Sequence, residues 1–156
     1  MSLTRFTNRP VVTAVGHETV RSAAMRMAKH NVGTVVVVDT DNFEPIGMLT
    51  DRDITVRCLG AGLDPDRTRV SEMMTHPVHL IYQHVPIEQV LSRMAEAGTR
   101  RLVVTSEGNR VAGIVCLDDI LELLSGEVES VGRILASQGP YLGREPVLAT
   151  ESAATR

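Results

Sequence analysis

The sequence has few of the residues that bind nucleic acids. It contains no tryptophan, only two phenylalanines and two tyrosines, and carries a formal net charge of −3. Nucleic-acid-binding domains need a basic surface for the phosphate backbone and aromatic rings on which bases stack. We therefore expect this protein to have no nucleic-acid partner.

Cysteines and long apolar runs are also scarce. Only Cys58 and Cys116 occur, both inside apolar segments, and the sequence shows no secretory leader. We therefore expect reduced thiols in a cytoplasmic protein. The apolar run Val35–Val38 is far shorter than the roughly 20 residues that cross a bilayer, so we expect no membrane partner.

The chain of 156 residues contains an internal repeat. The first copy starts at Pro10 and ends in Gly47-Met-Leu-Thr-Asp-Arg-Asp-Ile54, and the second starts at Pro77 and ends in Gly113-Ile-Val-Cys-Leu-Asp-Asp-Ile120. Equivalent residues lie 67 apart in the first part of each copy and 66 apart in the closing motif. Because one copy cannot bury its apolar sheet face alone, the repeat predicts an α/β (α+β) fold of two βαββα repeats packed sheet to sheet with pseudo-two-fold symmetry.

Hydrophobic periodicity places the same elements in both copies. In the first copy it predicts strands at 11–13, 34–39 and 46–49, and helices starting at 17 and at 51, the latter ending near 59. In the second it predicts strands at 78–82, 102–105 and 111–115, helices at 86–97 and 117–124, and a separate helix around 128–135. We accordingly divide the chain into an arm (1–9), a first repeat (10–66), a second repeat with a linker helix (67–125), and a C-terminal helix with a flexible tail (126–156).

Thr50 and Asp53 stand where the first repeated motif passes from a strand into a helix. Thr-x-x-Asp is close to a capping box, in which the hydroxyl and the carboxylate each bind a backbone amide at the helix start. That structural role is the leading interpretation of the spacing alone. The second copy keeps the acid as Asp119 but replaces the hydroxyl with Cys116, a weak acceptor, so capping does not by itself account for the acid.

A carboxylate in this position also suits a nucleotide. It can accept two hydrogen bonds from the diol of a ribose, while the adjacent unpaired amides and the helix dipole favour a phosphate. Arg52, together with Arg100 and Arg101 before the central strand of the second copy, can add charge-assisted contacts to that phosphate. The alternative for each arginine is a solvated surface charge.

These residues resemble a known family. The run Thr34–Asp39, the turn after it and the motif Gly47–Ile54, repeated in weaker form up to Ile120, look like a tandem pair of cystathionine β-synthase (CBS) domains, also called a Bateman module. The resemblance covers about residues 7 to 125 and extends to stand-alone bacterial members whose whole chain is one such pair. It implies two clefts, adenosyl ligands such as AMP, ATP, NAD or S-adenosylmethionine, a homodimer, and a regulatory role without catalysis.

Family members build each cleft from the ribose carboxylate of one repeat and the early strands of the other. The resemblance therefore implies one ligand-binding site made of Thr50, Arg52, Asp53, Val78, Arg100 and Arg101. It implies a second site made of Cys116, Asp119, Val11, Val32, Gly33 and Thr34, in which Gly33 lets the backbone approach the base closely. Because Leu117-Asp118 replace Asp51-Arg52 there, the second site lacks the arginine and adds an acid, and we expect it to bind phosphate more weakly.

Other classes of function have less support in the sequence. His76, His79 and His84 match no zinc-binding spacing, and no histidine is predicted beside Cys116 to make it a nucleophile, so we expect neither a metal site nor an enzyme. The alternative that stays open is a dimeric scaffold that keeps the fold, associates through apolar helix faces and binds no ligand. Our prediction is a regulatory module that binds an adenine nucleotide, AMP or ATP before NAD or S-adenosylmethionine, and signals through its dimer or a downstream protein.

Overall fold

Two sheets of three strands each, with the same connectivity, occupy the centre of the fold. The structure is a computed structural model that describes residues 3–7 and 10–137, so the predicted flexible tail beyond 137 lies outside the described residues. Residues up to Leu117 form one compact unit, and those from Asp118 onward form a second. The elements are β1 Thr13–Val15, α1 Val20–His30, β2 Thr34–Val38, β3 Pro45–Thr50, α2 Asp51–Asp53, a π-helical segment Ile54–Leu59, α3 Val70–Met73, β4 Leu80–Tyr82, α4 Ile87–Ala97, β5 Arg101–Thr105, β6 Val111–Cys116 and α5 Leu117–Ser137, with 3-10 turns at Leu3–Phe6 and Glu107–Asn109.

The two sheets repeat not only their order but also their register. In each, the middle strand pairs in parallel with the first strand and antiparallel with the third. Thr34 of β2 lies opposite Thr50 of β3, and Arg101 of β5 lies opposite Cys116 of β6. These pairs are related by the 67- and 66-residue offsets of the sequence repeat, which confirms the predicted fold class.

The sheets pack face to face through aliphatic side chains. A buried cluster joins Val36, Val38 and Met48 of the first sheet to Val103 of the second. Because successive strand residues point to opposite faces, Val35 and Val37 face the other side, where α1 and the π-helical segment cover them. The β-branched run of β2 is therefore buried on both faces, as its composition predicts.

The glycine that opens each repeated motif lies beneath a segment that precedes the other sheet. A Cβ atom on Gly113 of β6 would lie 2.6 Å from the carbonyl oxygen of Phe6. Gly47 of β3 is covered in the same way by the side chain of Met74, just after α3. Each sheet thereby contacts the chain segment that leads into its partner, and a Cβ atom would meet backbone at Gly113 but mainly a flexible side chain at Gly47.

Several of the predicted helix and strand boundaries are wrong. The helices expected at 117–124 and around 128–135 are one continuous helix, α5. The helix expected at 51–59 is α-helical only over its first three residues, and it continues as a π-helix in which the amide of Gly60 donates to the carbonyl of Thr55 at 2.8 Å. Strands β1 and β4 begin two residues later than predicted. Helix α1 begins at Val20 because the Thr19 hydroxyl caps it, accepting from the Ser22 amide at 3.2 Å.

Candidate functional site

A cavity of about 410 Å³ lies where the end of β3 meets the start of β5, and we call it the arginine cavity. It contains all six residues predicted for the first site: Thr50, Arg52, Asp53, Val78, Arg100 and Arg101. The remaining lining residues are Met48, Thr75, Pro77, His79, Gly98 and Thr99. Residues of both repeats thus line one cavity, as the resemblance implies.

Thr50 and Asp53 form a complete capping box at the mouth of the arginine cavity. Thr50 is the last residue of β3, and its extended backbone stops the strand as α2 begins. Its amide and its hydroxyl both donate to Oδ2 of Asp53, at 3.0 and 2.7 Å, and its Oγ1 accepts from the Asp53 amide at 3.1 Å. The capping interpretation of the sequence is therefore realised in the structure.

Capping occupies only one oxygen of the Asp53 carboxylate. The other oxygen, Oδ1, lies 3.4 Å from Nε of Arg57, and the Asp53 side chain is 15% exposed. An ionised carboxylate has about four acceptor positions, so Oδ1 keeps capacity for donors from a bound molecule. Capping and ligand binding by this residue are compatible, since they use different oxygens.

The three arginines of the cavity have positive charge to offer an anion. The guanidinium groups of Arg52, Arg100 and Arg101 form no hydrogen bond or ion pair with any residue that the structure describes. Arg101 is nevertheless held at its backbone, because its amide donates to Thr99 Oγ1 at 3.3 Å and its carbonyl accepts from the same hydroxyl at 3.2 Å. Asp53 is the only acid among the described residues of the lining, so the cavity is suited to a ligand that combines an anion with hydroxyl groups.

Sequence reasoning missed half of the lining, although part of it follows from the repeat. Thr99 lies 67 residues after Val32, a residue that was assigned to the second site. Gly98 and its equivalent Asn31 both end a helix in the left-handed conformation, with φ of 60° and 51°. His79 and Thr75 had no comparable signal, because the segment before β4 is irregular.

A second cavity of about 250 Å³, which we call the valine cavity, contains four residues predicted for the second site: Val11, Val32, Gly33 and Thr34. Its other lining residues are Phe6, Pro10, Val12, Arg101 and Ile114. Cys116 ends β6 two residues beyond Ile114, and Asp119 lies in the first turn of α5, within the second unit. A Cβ atom on Gly33 would lie 2.9 Å from Oδ2 of Asp51, so the glycine also makes room for that side chain.

Most residues that line the valine cavity have apolar side chains, and one is a cation. Arg101 is the only charged residue among the described residues that line it. The resemblance assigned Arg101 to the first site alone, whereas in the structure Arg101 lines both cavities. Signals in the sequence could not have shown this, since it depends on the direction of one long side chain.

A wider groove of about 720 Å³ along β1 differs in its charges. Its arginine, Arg26, donates two hydrogen bonds to the Glu18 carboxylate, at 2.8 and 2.6 Å, and a third to the carbonyl of Thr13 at 2.7 Å. The hydrogen bond to Glu18 raises the pKa of the Arg26 guanidinium. Because this cation already has its partners, the groove is a weaker candidate for anion binding than the arginine cavity.

Residues 3–7 and 10–137 contain neither a cluster of metal-ligating side chains nor a membrane-spanning helix. This part of the chain contains no group of three or more histidine, cysteine, aspartate or glutamate side chains placed to hold a metal ion. Of the helices described, none is long and apolar enough to cross a membrane.

The two related sheets and the cavities lined by both repeats define the class of proteins built from a tandem pair of like domains. Comparison with known families identifies the family. The family model described as "CBS domain" matches residues 3–60 and again residues 70–126. The chain therefore belongs to the CBS domain family and carries a tandem pair of these domains. Hypoxic response protein 1 of Mycobacterium tuberculosis is 39% identical over 110 residues, which are 70% of this chain and 76% of that protein.

Solved structures show the same fold. The crystal structure of Hypoxic Response Protein I with two coordinated zinc ions has a TM-score of 0.67 and 34% identity, covering 78% of this chain and 98% of that one. The CBS domain pair of protein MJ0100, in complex with 5′-methylthioadenosine and S-adenosyl-L-methionine, has a TM-score of 0.71 and 25% identity, covering 81% and 98%. The chain spans between 62% and 76% of the length of the first curated relatives that it matches.

Proposed function

We propose that this protein is a regulatory module that binds an adenine nucleotide in the arginine cavity. The observation that carries the proposal is the set of three arginines without partners among the described residues, placed beside a carboxylate of which one oxygen, Oδ1, lies outside the capping box. Arg52, Arg100 and Arg101 bind the phosphate, and Oδ1 of Asp53 accepts from the ribose hydroxyls. The adenosyl ligands bound by the MJ0100 domain pair support this class of ligand.

Among adenosyl ligands the charges favour AMP or ATP. Three arginines against one aspartate give the lining an excess of positive charge, which an anionic phosphate complements. S-adenosylmethionine carries a sulfonium cation in the corresponding position and NAD adds a second nucleoside, so we rank both lower. The role is regulatory and not catalytic, and the location is cytoplasmic, where the thiols of Cys58 and Cys116 stay reduced.

Thermal unfolding with a panel of AMP, ATP, NAD, S-adenosylmethionine and adenosine tests the proposal. A ligand at about 100 times its Kd stabilises the folded state by about 2.7 kcal/mol, so AMP or ATP should raise the melting temperature by several degrees. A scaffold that binds no ligand would melt at the same temperature with every compound. That result would replace the sensing function with the scaffold alternative.

Asp53→Asn tests the role of the carboxylate. A lost hydrogen bond to a charged group costs about 1.5–3 kcal/mol, so calorimetry should show AMP binding weakened by about tenfold or more. Asp51→Asn is the matched control, because Asp51 lies in the same short helix but does not line the cavity. Equal affinities in the two variants would contradict ribose binding by Asp53.

The proposal includes a homodimer, supported by an apolar stripe on α5. Leu121, Leu124, Val128, Val131 and Leu135 recur at alternating spacings of three and four, and their exposed fractions lie between 40% and 72%. This spacing is that of a two-stranded coiled coil, in which each helix covers the stripe of the other. We propose that the stripe is covered by α5 of a second copy.

Charges beside the stripe favour a parallel pair. In a parallel pair the side chain of Glu127 faces Gly132 of the second copy, which carries no charge. In a fully overlapping antiparallel pair Glu127 would face Glu127 of the second copy, and the two negative charges would repel each other. Val128→Cys should therefore form a disulfide-linked dimer under mild oxidation, because parallel helices bring position 128 against itself. Glu122→Cys, on the outer face of α5, should stay unlinked. A monomeric mass by light scattering would contradict the dimer.

A further inference from the structure

Arg101 is placed differently from the other two arginines of the arginine cavity. It lines both cavities, whereas Arg52 and Arg100 line only the arginine cavity. Its backbone is held by the two hydrogen bonds with Thr99, while its guanidinium has no partner among the described residues. A fixed backbone with an unpaired guanidinium allows the same side chain to serve either cavity.

The sharing is not symmetric. The equivalent of Arg101 in the first repeat is Thr34, which starts β2 as Arg101 starts β5 and lies opposite Thr50 as Arg101 lies opposite Cys116. Of the two cavities, Thr34 lines only the valine cavity, and its side chain is short and uncharged. The first repeat therefore has no cation at the position of Thr34, and Arg101 is the one cation among the described residues that line the valine cavity.

We propose that Arg101 is the phosphate-binding residue of the valine cavity as well as of the arginine cavity, so that an anion held in one weakens anion binding in the other. The inference rests on the proposed nucleotide-binding function. The guanidinium lies at the end of one side chain, which can extend into only one of the two cavities at a time, and there it binds a phosphate through a pair of parallel hydrogen bonds. The valine cavity is thus a second site for a phosphate-bearing adenosyl ligand, in competition with the first.

The coupling has unequal consequences for the two sites. The arginine cavity keeps Arg52 and Arg100 when Arg101 turns away, whereas the valine cavity keeps no cation among its described lining residues. Thermodynamic linkage requires that an anion bound in either cavity lowers the anion affinity of the other cavity by the same factor. Coupling between two sites typically changes affinity by about 5- to 150-fold. We therefore expect the arginine cavity to fill first and the valine cavity to fill only at higher ligand concentration.

Two glycine amides report on the cavities separately in a nuclear magnetic resonance titration of the full chain with AMP. Gly98 lines only the arginine cavity, and Gly33 lines only the valine cavity. In the unmodified chain, the midpoint of the Gly98 response should come at least about fivefold lower in AMP concentration than that of Gly33.

Arg100→Ala is the most informative variant, because it predicts a gain. It should raise the Gly98 midpoint at least about fivefold, since the arginine cavity loses a cation, and it should lower the Gly33 midpoint, since Arg101 is released to the valine cavity. Structural damage would weaken both sites and could not improve one. An unchanged or raised Gly33 midpoint overturns the inference.

Arg101→Ala should abolish the Gly33 response to AMP and raise the Gly98 midpoint. Adenosine, which lacks the phosphate, is the control: its midpoint at Gly33 should be the same with and without the Arg101 side chain. A difference would mean that the arginine supports the shape of the cavity, and it would overturn the inference.

If AMP affects neither amide in the unmodified chain, the proposed function fails and this inference fails with it. If AMP binds normally and Arg101→Ala acts like Arg100→Ala on both amides, only the sharing is overturned.

Discussion

The arginine cavity and the valine cavity occupy equivalent places in two sheets of identical register, yet they differ in size and charge. The first measures about 410 Å³ and has three arginines and an aspartate in its lining. The second measures about 250 Å³ and has Arg101 as the only charged residue of its described lining. The repeated backbone therefore fixes where the cavities lie, while a few side chains at strand ends decide what each can bind.

One part of the difference lies in the four residues after the third strand of each repeat, because three of them line the first cavity and none of their equivalents is among the described lining residues of the second. The first repeat has Thr50-Asp51-Arg52-Asp53 and the second has Cys116-Leu117-Asp118-Asp119. Only the acid at the last position is common to both. Exchanging single residues between the two motifs is therefore the most direct way to test which of them makes the first cavity suitable for a nucleotide.

The largest effect is expected from Arg52→Asp, which gives the first motif the acid of the second. It removes a charge-assisted hydrogen bond, a loss of about 1.5–3 kcal/mol, and adds a repelling charge. We expect AMP affinity, measured by calorimetry, to fall by about 100-fold. Arg67→Asp is the control, because the Arg67 side chain is 89% exposed and lies outside the cavity. Similar losses in both variants would mean that overall charge, and not the cavity, attracts the ligand.

The next effect concerns the glycines that hold each sheet to its covering segment. Gly113→Ala places a Cβ atom 2.6 Å from a backbone oxygen of Phe6, whereas Gly47→Ala meets the flexible thioether of Met74. Overpacking typically costs about 1–3 kcal/mol, and a side chain gives way more easily than backbone. Urea unfolding should show a loss of about 2 kcal/mol for Gly113→Ala and a smaller loss for Gly47→Ala. Equal losses of stability in the two variants would show that the segments at Phe6 and Met74 adjust equally well to the added Cβ atom.

Much of the fold could be predicted from the sequence because its repeat has a fixed offset. The pairing of Thr34 with Thr50 and of Arg101 with Cys116 follows once the strands are aligned at offsets of 67 and 66. The continuity of α5 could not be predicted with the same ease. Gly126 costs about 1 kcal/mol relative to alanine in a helix, yet it does not end this one.

The candidate site could be predicted as a set of residues but not as a set of contacts. All six residues that the family resemblance implies for the first site line one cavity. Periodicity located the strand ends and helix starts on which they lie, but the resemblance assigned them to a site. The π-helical segment was not predicted, since a shift from i−4 to i−5 hydrogen bonding, seen between Gly60 and Thr55, leaves no periodic signal in six residues. It carries Arg57, which faces Oδ1 of Asp53 at 3.4 Å.

The smallest effect is expected from Thr50→Cys, which gives the first motif the thiol of the second. The hydroxyl of Thr50 donates to Asp53 at 2.7 Å and accepts from its amide at 3.1 Å, and a thiol does both poorly. Loss of an N-cap costs about 1 kcal/mol, so urea unfolding should show a loss of that size. Thr55→Cys is the control, because its exposed hydroxyl donates only to the Asp51 carbonyl, and it should lose less.

The same variant separates the two roles of Asp53. If the carboxylate binds ribose through Oδ1 while Oδ2 serves the cap, Thr50→Cys should lower the stability of the unliganded protein but leave AMP affinity within about threefold, since a ligand hydroxyl does not need the cap. A loss of affinity as large as that of Asp53→Asn would mean that the cap orients the carboxylate for the ligand. In that case the thiol of the second motif would itself explain a weaker second site, independently of the missing arginine.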